Sequence, residues 1–108
     1  MKKIGREVLF LGTSEDNPRN GEGSFVRISD GTIMFAFTQY YGNSWGDHAI
    51  ARLAAVYSYD DGETFSKPVS LIEKDENAMN IMSVSLLRLQ NGNIGLLYLR
   101  KSASENGE

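Results

Sequence analysis

The sequence predicts an all-β chain, a four-stranded antiparallel meander followed by the start of a second copy. Three observations predict it. Short apolar, β-branched and aromatic runs alternate with turn residues, and helix signals are nearly missing. Turn glycines sit between pairs of such runs, as in Asp30-Gly31 and Asn91-Gly92, a strong hairpin signal. The segment from Ser85 also repeats the segment from Ser24 at a spacing of 61 residues.

The first strand is expected at Ser24-Phe25-Val26-Arg27-Ile28 and the second at Ile33 to Tyr40, with the Asp30-Gly31 turn between them. A loop rich in Gly, Asn and Ser follows, from Tyr41 to Asp47. The third run, Ala49 to Ser58, is rich in alanine, the best helix former. It lacks a capping box and leads into a turn motif that needs a strand before it, so it is read as a strand. Its small side chains suit a crowded place between neighbouring sheets. The fourth run, Val69-Ser70-Leu71-Ile72-Glu73, follows Pro68, which fits an edge strand where a missing N–H costs least.

The pattern then restarts. Ser85, Arg88, Gly92 and Ile94 match Ser24, Arg27, Gly31 and Ile33 in register, and Leu96-Leu97-Tyr98 takes the place of Phe35-Ala36-Phe37. A four-strand repeat of this length is the signature of a β-propeller blade, somewhat longer than the common repeats. Two hairpins of an unrelated β-sandwich would give a similar pattern.

Between the third and fourth strands lies Ser58-x-Asp60-x-Gly62-x-Thr64-Phe65. The Asp side chain can accept hydrogen bonds from backbone N–H groups of its own turn, and Gly62 can supply a positive φ. Ser58 and Thr64 can brace the strand ends, and Phe65 can fold back over the turn. This is the Asp-box pattern, with Phe65 in place of the usual tryptophan. Its role is structural: it closes a hairpin.

On these residues the chain resembles the sialidase superfamily, whose members carry BNR or Asp-box repeats. The resemblance runs over roughly residues 19–101. It takes in the hairpin from Ser24 to Tyr40, the loop Gly46-Asp47-His48, the Asp-box, and Asn80-Ile81-Met82-Ser83 at the entry to the second blade. It implies a six-bladed propeller with a polar central pocket, of which residues 13–79 make the first blade and 80–108 begin the second. It also implies removal of a terminal sugar from a glycan by exo-hydrolysis, sialic acid being the usual substrate, with no cofactor. A complete propeller of this repeat needs roughly 350 residues or more. The nucleophilic tyrosine, its glutamate and the remaining substrate-gripping arginines are expected in other blades, and the chain is expected to be a fragment. Unpaired strand edges in such a piece invite self-association.

The resemblance assigns Asp47 as the catalytic acid/base, because it lies in a Gly/Ser-rich loop just before the third strand. Trp45 and His48 flank it, and a carboxyl in that setting can be tuned toward acid work. An ordinary solvated loop aspartate is the plain alternative. The family's Arg-Ile-Pro entry to the first strand is replaced by Gly21-Glu22-Gly23, with Arg19 two residues too early. Glu22 in the pocket would favour hydroxyls or a cation over a substrate carboxylate, which puts sialic acid itself in doubt. Arg19, Glu22, Arg52, Trp45 and His48 are therefore the candidate substrate-binding residues. Tyr40 and Tyr41 stand beside Trp45 as stacking or packing aromatics. Asn80 and Met82 are further candidates, and the matched pair Arg27 and Arg88 is read as structural. A non-catalytic glycan- or protein-binding propeller, or a sugar lyase on the same scaffold, remains the alternative.

Composition narrows the field. The 108 residues are 41% hydrophobic and 23% charged, with net charge −3, as for an ordinary soluble domain. No basic run or stripe marks a nucleic-acid partner. Cysteine is absent and there is one histidine, which argues against a disulfide framework, thiolate chemistry or a zinc site. The run Val8-Leu9-Phe10-Leu11 is too short for a secretion signal, and no stretch approaches a membrane span. A cytoplasmic setting is the default expectation, or secretion with the signal removed.

Overall fold

The computed structural model describes residues 5–44 and 46–102. The described residues form six strands and no helix, hence none long and apolar enough to cross a membrane. The strands are β1 (Arg19–Arg27), β2 (Ile33–Tyr40), β3 (Ala51–Ser58), β4 (Val69–Ile72), β5 (Ala78–Arg88) and β6 (Ile94–Ser102). One sheet has the order β1-β2-β3-β4, all antiparallel, and β5 pairs with β6 in a second. β4 is an edge strand, as Pro68 predicts.

β1 begins at Arg19 rather than Ser24. The glycines that suggest a loop instead serve a register shift between Asn20 and Gly23. A Cβ on Gly23 would lie 2.3 Å from the Ala36 carbonyl oxygen and 2.6 Å from the Phe35 ring. Only glycine lets the strand approach β2 that closely.

β3 is a strand in spite of its alanines, because tertiary burial overrides propensity. Ala51, Leu53, Ala54, Ala55 and Val56 are fully buried, and both faces of the strand are covered. On one face Met34, Ala36, Leu53 and Ala55 pack with Ile81 and Val84 of β5, and Tyr40 and Ala51 pack with Met82. On the other, Phe37, Ala54 and Val56 meet Leu9, Leu11, Phe35 and Phe65. The Val8–Leu11 segment has no strand pairing. It lies over this second face with Leu9 and Leu11 packed and Phe10 exposed.

The Asp-box folds as its residues dictate. Asp60 accepts from the Ser58 hydroxyl at 2.8 Å, the Thr64 N–H at 2.8 Å and the Thr64 hydroxyl at 2.5 Å. Ser58 Oγ accepts the Gly62 N–H at 2.8 Å, and Gly62 has φ 92°. These donors, Thr64 first, hold the Asp60 carboxyl at a pKa of about 2. Phe65 packs with the apolar cluster on the sheet face.

The repeat extends to hydrogen bonding. In the first turn Ile28 N–H bonds Thr32 O, Gly31 N–H bonds Ile28 O, and Asp30 accepts from Thr32 N–H. In the second, Leu89, Asn93, Gly92 and Asn91 make the same three bonds at equivalent positions. β5 also lies against β1 so that repeat equivalents touch. The Ser83 hydroxyl donates to Glu22 at 2.6 Å, Leu86 N–H donates to Ser24 Oγ at 3.1 Å, and Arg88 donates to the Arg27 carbonyl. Each contact spans one repeat length or one residue more.

Candidate functional site

The end of the sheet opposite the Asp-box carries the polar residues. It is built around the β2–β3 loop, residues 41–50. Gly42 turns the loop at φ 90°, Ser44 Oγ accepts the Gly46 N–H at 3.3 Å, and Ala49 N–H closes on Gly46 O at 3.0 Å. This shape leaves an open groove of about 490 Å³, lined by Tyr41, Ser44, Gly46, Asp47, His48 and Ile50 among others.

Arg19 and Asp47 meet at the groove. The Arg19 guanidinium donates to Asp47 Oδ1 at 2.7 Å and lies over the Tyr40 ring at 4.7 Å. The Asp47 side chain remains 68% exposed. Arg19, by this hydrogen bond and then by its charge, holds the Asp47 carboxyl below its ordinary range, with Lys101 and His48 adding to the effect. That is the opposite of the upward tuning expected for an acid, and the cause is the cation at hydrogen-bond distance. The Asp47 bond raises Arg19 in return.

Glu22 projects beside them from the β1 bulge. Its bond from Ser83 is the main reason its carboxyl is also held low, while Arg19 lowers it and Asp47 raises it through space. Ser83 reaches Glu22 from a φ of 60°, with its N–H donated to Thr38 Oγ1 at 3.0 Å. Tyr40 is buried, which pushes its phenol up, and its hydroxyl faces Met82 Sδ at 3.9 Å.

The structure therefore brings Arg19, Glu22, Asp47 and His48 to one end of the molecule. Arg52 pairs with Gln39 in register, on the sheet face opposite to Tyr40. It bonds Glu73 at 3.2 Å and Gln39 at 3.4 Å, and reaches the groove only through the Tyr41 ring, 4.0 Å from its guanidinium. Trp45 lies outside the described residues. Two further contributors, Ser83 and Lys101, were not singled out by sequence reasoning. The repeat carries the signal for both: Ser83 is the equivalent of Glu22, and the Asn80–Lys101 pair is the equivalent of Arg19–Tyr40. Among the described residues no group of three or more His, Cys, Asp or Glu could hold a metal.

Comparison with protein-family models and with curated proteins returns no match to this chain.

Proposed function

We propose that the chain is part of a sialidase-like β-propeller, and that its Arg19–Glu22–Asp47 end faces the terminal sugar of a glycan in an exo-glycoside hydrolase. The observation that carries this reading is the division of labour between the two ends of one sheet. The Asp-box closes the β3–β4 turn at one end of the sheet, and the exposed carboxylates and arginine gather at the other, around the β2–β3 loop. The side-by-side contacts of repeat equivalents on β1 and β5 support neighbouring blades.

Asp47 is ionised at neutral pH beside Arg19, so in this state it serves as a base or a hydroxyl acceptor. A sugar carrying a carboxylate would compete for the guanidinium. Transfer of Arg19 to that carboxylate removes the main cause of the low Asp47 pKa, so that Asp47 takes up a proton from solvent and can then donate it to the leaving group. Glu22 adds a second acceptor for sugar hydroxyls.

The test is turnover of activated aryl glycosides, sialosides included, by the polypeptide that carries this segment. Asp47→Asn should lower turnover roughly 10²-fold or more. Unchanged turnover rejects the assignment. The exposed Arg19–Asp47 pair also favours a second reading, a propeller that binds glycan without cleaving it. On that reading no glycoside in the panel is hydrolysed, while titration with the intact glycan still perturbs the 41–50 loop.

A further inference from the structure

Asn80 is fully buried at the start of β5, yet its carboxamide is committed to a loop of the other sheet. Its Nδ2 donates to the Asp47 carbonyl at 2.9 Å and to the Ala49 carbonyl at 2.8 Å. Both hydrogens of the NH2 group are therefore used. The two acceptors fix which way the amide points, because a flipped amide would set oxygen against oxygen. Its Oδ1 is buried and has no hydrogen-bond partner among the described residues. Lys101, the cross-strand partner of Asn80 on β6, donates its Nζ to the same Asp47 carbonyl at 2.8 Å. The loop that presents Asp47 contains Gly42, Ser44 and Gly46. Both of these donors reach it from the second sheet.

We propose that Asn80, backed by Lys101, is the positioning residue that seats Asp47 against Arg19, so that the second sheet sets the geometry of the first sheet's carboxylate. Asn80 touches backbone only and acts through Asp47. No other common side chain of that size offers two N–H groups to two carbonyls while carrying no charge into a fully buried position. The proposal rests on the reading of Asp47 as the working carboxylate, but its physical content does not require a sugar.

The experiment follows the carboxyl carbon of Asp47 by NMR through an acid titration of the intact chain. Four charged groups act on this carboxyl: Arg19, Lys101 and His48 lower it, and Glu22 lies nearby. In the parent chain the Asp47 midpoint should fall below that of an ordinary aspartate. In Asn80→Ala all four charges remain, but the loop loses both carboxamide bonds. The Asp47 midpoint should then rise toward the ordinary value, while the backbone amide shifts of β2 and β3 stay in place and report that the fold is intact. An Asp47 midpoint unmoved in a folded Asn80→Ala chain overturns the proposal. If that variant does not fold, the parent chain decides. Slowed exchange of both Asn80 side-chain amide protons, with contacts to residues 47–49, supports the seat, and free exchange overturns it. Absence of glycoside turnover by the parent polypeptide, with these readouts as expected, would count against the function and leave the seat standing.

Discussion

Asp60 takes three hydrogen bonds in a surface turn, and that is enough to hold its carboxyl at about 2. Asp75 reaches a similar value by a different route, the two-pronged bond from Arg100 at 2.8 Å on each oxygen. Both folded values lie below the unfolded one, near 3.8. Their stabilisation is complete above about pH 4 and is lost as pH falls toward 2. Acid unfolding followed by circular dichroism should therefore begin below pH 4, and Asp60→Asn should flatten the pH dependence in that window. A variant with the parent's acid profile would show that the Asp-box bonds form equally in the unfolded chain. The bonding of this turn was legible in the sequence because every partner lies within a few residues of Asp60. The Arg19–Asp47 pair was not, since it joins residues 28 positions apart across a bulge that reads as a loop.

At the scale of the strand, turn glycines and apolar runs marked where hairpins fold, and β2 and β4 stand where those runs place them. Propensity could not decide β3, whose alanines are strand residues only because β5 and the Leu9–Leu11 segment cover its two faces. The early start of β1 was hidden for a related reason. Gly21 and Gly23 resemble a flexible linker, yet Gly23 is there because its neighbours leave no room for a Cβ. Gly23→Ala should therefore cost about 1–3 kcal/mol by overpacking, read as a lower urea midpoint at unchanged slope. Gly46→Ala is the control. It has negative φ or extended backbone, and its nearest neighbour is the Ser44 hydroxyl at 3.7 Å, so stability should move by less than about 0.5 kcal/mol. Equal losses at the two sites would mean that the close approach of β1 to β2 is relaxed in solution.

For the whole molecule the question is whether two sheets that share no ladder fold as one unit. Each leaves large apolar side chains exposed, Phe25 and Val69 on the first and Leu97 and Leu99 on the second, so neither has surplus burial to stand on. What joins them is β5, which lays Ile81 and Val84 into the cluster formed by Met34, Ala36, Leu53 and Ala55. Polar bonds at Thr38–Ser83 and Ser24–Leu86 fix the seat on either side of that contact. Ile81 is 2% exposed, and its truncation to alanine should cost about 2–5 kcal/mol. Native-state hydrogen exchange distinguishes where that cost is felt. If the sheets are one cooperative unit, the most protected amides of β2 and β3 lose the same free energy as those of β5. If protection falls in β5 and β6 alone, the second sheet opens by itself. The seat that it provides for Asp47 would then open with it, and the geometry of the Arg19–Asp47 pair would follow the stability of β5 rather than that of the sheet on which Arg19 stands.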